Sequence, residues 1–571
     1  MNDSVIMKLY RSWLSDPAVD SGTKAELQAL EGNDKEIEDR FYRDLEFGTG
    51  GLRGVIGAGT NRMNRYTVGR ASQGLAQYVN AMGMQEPSVV IAYDSRNQSP
   101  EFALEAALVL AGNGIKVYVF DSLRPTPELS FAVRYLNASA GIVITASHNP
   151  PEYNGYKVYG PDGGQLVPGA AEQVLAEIAS VDMFRDVVRA ERAQAEADGK
   201  LVWIGEEIDE QYNQAVVGAS PNPSAARDAE AEGVSIKIVY TPLHGAGNVP
   251  VRRALAAAGF KDVLVVPEQE LPDPQFSTVK SPNPEEREAF TLALRLAERS
   301  GADLLLGTDP DCDRVGAVVK GGDGSYFVLN GNQTGALIAE YIMENLSARG
   351  AIPSNAVVIK TIVTSELGGE VARHYGAKVI NTLTGFKYIG EQMTQFERTG
   401  EHSFIFGYEE SYGYLAGNYA RDKDAVLASL LIAEACVYWK HKGLSMFDVL
   451  QRLYERHGHY LESLQARTLK GKDGLEKMRA LMDEWRLHSP SAAAGIPVAE
   501  KLDYLQDVHG LPLENVLKFK LEDGSWFCLR PSGTEPKIKT YFAVKGTSGP
   551  DAQAKMDALV QDVMSKIDSA I

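Results

Sequence analysis

Gly141-Ile-Val-Ile-Thr-Ala-Ser-His-Asn-Pro150 is the stretch around which the rest of the chain is organised. Residues 141–145 are a short, β-branched apolar run, the pattern of a buried strand. Asn149-Pro150-Pro151 ends it, because this sequence neither continues a strand nor enters a helix at once. Ser147 and His148 therefore sit on a loop at the mouth of a strand, where α/β sheets place their chemistry. A serine near a turn is by itself a hydrogen-bonding turn residue, and Ala-Ser-His lacks the Gly-x-Ser-x-Gly elbow of hydrolases. Its function must be decided by what accompanies it.

Working outward, the plan of strand, polar loop, helix, Gly cap and strand occurs three times. It runs from Val89-Val-Ile-Ala-Tyr-Asp94 to Gly114-Ile-Lys-Val117, from Ile236-Lys-Ile-Val-Tyr-Thr241 to Gly259-Phe-Lys-Asp-Val263, and from Ala356-Val-Val-Ile-Lys-Thr361 to Gly376-Ala-Lys-Val379. Each block is a βαβ unit, and their wide separation predicts three related α/β domains rather than one long sheet. At 571 residues the chain is too long for one core. The polar, Ala/Glu/Pro-rich stretches within 192–233, which flank a short helix over 206–217, mark a first boundary. A second follows the turn Lys320-Gly-Gly-Asp-Gly-Ser325, and a third falls near 455–465. Residues 516–521 and 525–529 read as a hairpin turning at Asp523-Gly524. The expected division is 1–205, 206–326 and 327–458 for the α/β domains and 459–571 for a smaller α+β domain. Residues up to about 43 read as surface helices.

Composition narrows the function. A net charge of −19 argues against nucleic acid or an anionic membrane as partner. Any anion site must be locally cationic against that field. Three cysteines without pairing or metal spacing (Cys312, Cys436, Cys528) fit a reducing cytosol. The first residues look like a polar helix start rather than a signal peptide. The longest apolar window, 425–439, contains Glu434 and is too short to span a bilayer, so it reads as a buried helix.

Four further motifs carry chemistry. Phe47-Gly-Thr-Gly-Gly-Leu-Arg-Gly54 reads as a Gly-rich loop whose backbone N–H groups approach an anion beside Arg53. It is neither a P-loop nor a dinucleotide fingerprint. Ala302-Asp-Leu-Leu-Leu-Gly307 runs into Thr308-Asp-Pro-Asp-Cys-Asp-Arg314, where Asp309, Asp311 and Asp313 alternate along an extended loop and point one way. Three such carboxylates repel unless a cation sits among them, and hard oxygen ligands favour Mg²⁺. Arg314 and Lys320 stand where an EF-hand needs Gly and Glu. Asp313 stands where a haloacid-dehalogenase nucleophile motif needs Thr or Val. Phe406-Gly-Tyr-Glu-Glu-Ser-Tyr-Gly413 offers Glu and Ser, which read sugar hydroxyls. In Arg530-Pro-Ser-Gly-Thr-Glu-Pro-Lys537, the Arg530 fork, Ser532, Thr534 and the Gly533 amide are suited to wrapping phosphate oxygens.

Together these motifs resemble, in order and spacing across residues 47–537, those of the α-D-phosphohexomutase (phosphoglucomutase/phosphomannomutase) family. Thr145-Ala-Ser-His-Asn-Pro150 with Tyr153-Asn-Gly-Tyr-Lys157 is similar to the family's phosphoserine loop. The resemblance implies three α/β domains with mixed sheets between helices, plus a smaller α+β domain, around one central cleft. It implies that Ser147 carries a phosphoryl group faced by Arg53 and Arg314. One Mg²⁺ per chain is then held by Asp309, Asp311, Asp313 and phosphorylated Ser147. Glu409 and Ser411 would read the sugar, in a Glu-Glu-Ser form closest to the phosphoglucomutase branch. Lys423 and, through Thr384-Gly-Phe-Lys387, Lys387 would enter the site, and Arg530, Ser532, Gly533 and Thr534 would clamp phosphate.

The activity so implied is interconversion of glucose 1-phosphate and glucose 6-phosphate, with glucose 1,6-bisphosphate as bound intermediate and activator. His148 or Lys157 handles the hydroxyl proton, and the sequence does not choose between them. Mannose and pentose phosphates on the same scaffold, a dehalogenase-like mutase with phosphate on Asp309, and a non-catalytic sugar-phosphate sensor remain alternatives. The expected setting is cytoplasmic, with sugar phosphates as partners. A monomer is favoured, although the sequence does not fix the oligomeric state.

Overall fold

The computed structural model describes residues 3–48, 51–469, 472–531 and 537–570. Its four sheets follow the chain in order. Seven strands form the first sheet, which places Ala140–Ile144 between Ser88–Tyr93 and Tyr153–Tyr159 and continues through Lys116–Phe120 to Leu201–Ile204. Five strands form the second around Ile238–Thr241 and Leu304–Thr308, and four form the third around Ala356–Thr361 and Ser403–Glu409. The fourth is an antiparallel sheet of six strands, covered by helices Lys472–Leu487 and Gly549–Ala570.

The first three sheets repeat one pattern. In each, the first βαβ unit gives two parallel strands, a third lies parallel beside the first of these, and a fourth returns antiparallel along the third. The third strands are Ala140–Ile144, Leu304–Thr308 and Ser403–Glu409. All three are almost wholly buried at their carboxyl ends, which is why their sequences are apolar without alternation. The loop that turns each into its antiparallel partner contains, in turn, Ser147, the three aspartates and Ser411. One topological position thus presents three different functional groups.

The first three domains share a continuous core that includes Val90, Phe131, Tyr212, Ile238, Leu337 and Phe406. Helix Ala425–His441 runs through it and buries nearly every side chain, as its apolar sequence requires. The fourth domain has a core of its own, and meets the third through a separate seam in which Ile362, Val363 and Leu383 pack with Val516, Trp526 and Tyr541.

Four local expectations differ from the structure. The segment expected as a Gly-rich loop from residue 47 includes strands Phe47–Gly48 and Gly51–Val55, the second paired antiparallel with Tyr153–Tyr159. A Cβ at Gly51 would collide with the Tyr156 carbonyl, and one at Gly54 would lie 2.7 Å from Leu45 Cδ1. Gly51 thus allows close approach of the paired strand, and Gly54 makes room for the Leu45 side chain. Within the polar stretch 192–205 lie helix Arg192–Ala197 and the seventh strand of the first sheet, Leu201–Ile204. The N-terminal helices Asp3–Ser15, Ser21–Gln28 and Asp34–Phe41 are not merely a surface layer. Ile6, Tyr10, Trp13 and Phe41 bury themselves against Tyr66 and Phe184. Finally, the aspartate segment is a tight turn rather than an extended loop: Cys312 N–H donates to Asp309 O at 2.9 Å, and Cys312 adopts φ 52°.

Candidate active site

The serine loop is set by a buried charge pair. Arg96 and Asp94 follow strand Ser88–Tyr93, and neither side chain is exposed. Asp94 accepts from Thr145 Oγ1 at 2.6 Å and Ser99 Oγ at 2.9 Å, and Thr145 Oγ1 accepts from the Ser147 N–H at 2.8 Å. The Arg96 guanidinium donates to four backbone carbonyls of the loop, those of Ser147, Asn149, Pro150 and Tyr153. Within this cage Ser147 holds φ 54°, a left-handed conformation unfavourable for a residue with a Cβ.

Ser147 Oγ thereby reaches the second domain. It donates to Asp309 Oδ2 at 2.8 Å and lies 3.1 Å from His148 Nδ1. Asp309, Asp311 and Asp313 are all buried and bring carboxylate oxygens within 4.8 Å of one another, the one such group among the described residues. The second Asp309 oxygen accepts from the N–H groups of Asp313 and Arg314, at 3.1 and 3.0 Å. Lys157 binds Asp311 at 2.9 Å, and Lys423 binds Asp313 at 3.0 Å. Two oxygens, Asp311 Oδ1 and Asp313 Oδ1, have no hydrogen-bond partner among the described residues. Buried carboxylate oxygens left over after two lysines have been satisfied are the donor set a hard divalent cation requires.

The electrostatics follow. Burial, reinforced by Asp311 and Asp313, pushes Asp309 well above the usual carboxylate range. Burial acts the same way on Asp311, but the Lys157 ammonium overrides it and holds that carboxyl far below. Burial opposes charge on Lys157, while Asp311 and Asp313 hold it protonated. Burial, with Arg314 and Arg53 nearby, lowers His148 to about 3, so its imidazole is neutral.

The site opens into a cleft of about 700 Å³ lined from all four domains. Arg53, on strand Gly51–Val55, donates to Asn149 Oδ1 at 3.4 Å. Arg314 donates to Glu285 at 2.8 Å and lies 3.3 Å from His148 Nδ1. Glu409 ends strand Ser403–Glu409 and accepts from the Gly385 N–H at 2.9 Å. Ser411 lies in the following turn and also lines the cleft. Lys387, in the first turn of helix Phe386–Thr399, has a buried Nζ without a hydrogen-bond partner among the described residues. Arg530 reaches the cleft from strand Trp526–Pro531, tethered to Glu514 at 3.0 Å. Ser532, Gly533 and Thr534 lie outside the described residues.

Sequence reasoning missed several members of this assembly. Arg96 and Asp94 had a visible signal, charged residues directly after an apolar strand, the same signal that exposed Asp309. Glu285 and Lys539 carried none, being ordinary charged residues in unremarked segments.

Comparison with known proteins decides the family. Models described as alpha/beta/alpha domains I, II and III of phosphoglucomutase/phosphomannomutase match residues 44–185, 210–322 and 330–457, and the C-terminal domain model matches 473–558. The chain belongs to the phosphoglucomutase/phosphomannomutase family. This family member is therefore a mutase, an intramolecular phosphotransferase of the phosphohexomutase type. A phosphoglucomutase of Staphylococcus haemolyticus (strain JCSC1435) is 38% identical over 518 residues, covering 89% of this chain and 91% of that protein. One of Staphylococcus aureus (strain USA300) is 37% identical over 549 residues, covering 92% and 94%. The fold is also that of the Paramecium phosphoprotein pp63/parafusin in an open form (TM-score 0.69, 17% identity, 91% of this chain and 95% of that one). No helix among the described residues is long and apolar enough to cross a membrane.

Proposed function

We propose that this enzyme is a phosphoglucomutase that works through a phosphoserine at Ser147 and a bound glucose 1,6-bisphosphate. The observation that carries the reading is the Ser147 hydroxyl, 2.8 Å from Asp309 at the edge of a buried three-aspartate cluster and facing a cleft rich in Arg and Lys. The phosphoglucomutase relatives support glucose as the sugar.

In the forward direction the free 6-hydroxyl of glucose 1-phosphate attacks phosphorus. Its new O–P bond forms as the Ser147 Oγ–P bond breaks, and its proton must leave as Ser147 regains one. Of His148 and Lys157, only His148 presents an unprotonated nitrogen beside Oγ, so the proton is assigned to it, with a basicity that burial and the neighbouring arginines hold low. Lys157, held protonated by Asp311 and Asp313, balances charge instead. The bisphosphate then turns end for end, and Ser147 takes the other phosphoryl group back. Arg53 and Arg314 face the phosphoryl being moved. Lys387 and Arg530, across the cleft, hold the one that is not. Glu409 and Ser411 receive the sugar hydroxyls. Asp309, Asp311 and Asp313, with the phosphoryl on Ser147, would hold a Mg²⁺ ion, which when bound would supply charge neutralisation during transfer.

The test is intact mass before and after exposure to glucose 1,6-bisphosphate, with the modified residue located. One added phosphoryl group on Ser147, absent in Ser147→Ala along with turnover, is expected. Normal interconversion by Ser147→Ala would end the proposal.

A further inference from the structure

The three aspartates of the turn are not held alike. Asp309 is fixed from within its own turn, by the N–H groups of Asp313 and Arg314, and Asp313 is gripped by Lys423. Asp311 is held from the first domain. Its Oδ2 accepts from Lys157 Nζ at 2.9 Å and from Thr126 Oγ1 at 3.1 Å. Thr126 also donates its N–H to the Asp311 carbonyl at 2.9 Å. One residue thus binds both the main chain and the side chain of one aspartate, and the pair is fully buried.

The two side-chain donors differ in kind. Lys157 brings charge on a flexible four-carbon stem, which fixes direction poorly. Thr126 is β-branched and stiff at χ1. It is also the first residue of helix Thr126–Tyr135, directly after Pro125, so no carbonyl of a preceding helical turn competes for its hydroxyl. With Oδ2 engaged twice, Asp311 Oδ1 is the oxygen left without a hydrogen-bond partner among the described residues. Rotation of the carboxylate would exchange the two oxygens, and the threonine hydroxyl opposes that rotation. The same helix leads through residues 136–139 into strand Ala140–Ile144, whose following loop carries Ser147. One stretch of the first domain therefore carries the serine and grips the turn that the serine faces.

We propose that Thr126 is a positioning residue for the metal site: its hydroxyl fixes which Asp311 oxygen is presented to the cation. The metal site then draws its ligands from the second domain and their orientation from the first. This rests on the reading of Asp311 as a metal ligand. Groups that orient a metal ligand typically cost about 10–100-fold in affinity or activity when they are lost. A threonine that only packed would cost stability and leave the affinity of the folded protein alone.

The experiment titrates Mn²⁺, a hard divalent stand-in for Mg²⁺, into the metal-free full-length protein and counts free ion by electron paramagnetic resonance. The parent should bind one ion per chain. Thr126→Val keeps the shape and removes the donor. It should also bind one ion, which shows that the site is folded, with Kd raised about tenfold or more. Thr126→Ala, which sets no methyl group against the carboxylate, should show the same rise. Thr126→Ser restores the hydroxyl and should stay within about twofold of the parent. The Mg²⁺ concentration for half-maximal turnover should rise in Thr126→Val by the same factor as Kd. Parent-like Kd in both Thr126→Val and Thr126→Ala overturns the proposal. So does a loss in Thr126→Ser as large as that in Thr126→Val, since packing rather than the hydroxyl would then be responsible. Absence of any Mn²⁺ site in the parent would instead overturn the metal reading itself, and this proposal with it.

Discussion

At the scale of single residues, Ser147, the proposed phosphoryl carrier, is set by Asp94 and Arg96, which do not line the cleft. Left-handed backbone at a residue with a Cβ costs about 1–2 kcal/mol, and Ser147 keeps it because its carbonyl and three others are gathered by one guanidinium. Lysine keeps the charge but not the planar fork, and cannot serve four carbonyls in that arrangement. Arg96→Lys is therefore expected to lower kcat by roughly a hundredfold through misplacement of Oγ, while KM for glucose 1-phosphate stays within about twofold. Steady-state kinetics check this, and an unchanged kcat would remove Arg96 from the positioning of Ser147. The contrast between these two residues also shows what sequence reveals. Ser147 and the three aspartates stood out because polar groups directly after buried strands have no place in a core. Arg96 occupies the same kind of position, but its partners are backbone carbonyls, which any sequence supplies.

At the scale of elements, helix Ala425–His441 makes the same point with a measurable consequence. Its apolar run was readable as a buried helix, and Glu434 within it was visible as an interruption. Its partners were not readable, since Ser220 lies 214 positions away and Tyr341 lies 93 away. Ser220 Oγ donates to both oxygens of Glu434 at 2.8 and 2.7 Å, and Tyr341 OH donates at 3.1 Å. Burial outweighs these bonds and pushes the carboxyl up to about 7. An unfolded glutamate titrates near 4.3, so the folded form binds the proton more tightly. Stability from this group is then complete below about pH 4.3, falls as pH rises towards 7, and levels off beyond. Glu434→Gln keeps the shape and removes the titration. Melting curves from pH 5 to pH 8 should show the parent losing a few kcal/mol relative to the variant. Parallel pH profiles would mean that Glu434 is ionised in the folded protein. The tight aspartate turn carries the opposite lesson. Convergence of three carboxylates was legible from spacing, but the left-handed Cys312 that achieves it was not, because nothing marks a cysteine for that conformation.

At the scale of the whole molecule, three βαβ repeats announced three α/β domains because each repeat restates its pattern locally. The shared core of those domains was invisible, being made of contacts between residues hundreds of positions apart. The fourth domain stands outside that core and meets the third across its own seam, while contributing Arg530 and Lys539 to the cleft. This division separates two tasks. Ser147, the aspartate turn, Arg53 and Arg314 belong to the first two domains, so in the proposed mechanism charging the serine would draw on those two domains alone. In the same proposal, holding the phosphate that stays put would draw on Lys387 and Arg530, which line the cleft from the third and fourth domains. In a chain of net charge −19, cations there supply local attraction that the overall field opposes. Arg530→Ala should therefore raise KM for glucose 1-phosphate by roughly tenfold or more, about 1.4 kcal/mol of binding. Stoichiometric phosphorylation of Ser147 after incubation with saturating glucose 1,6-bisphosphate should persist, as read by intact mass. If KM held steady, or if the phosphoserine were lost in step with it, the fourth domain would not be the clamp that this arrangement implies.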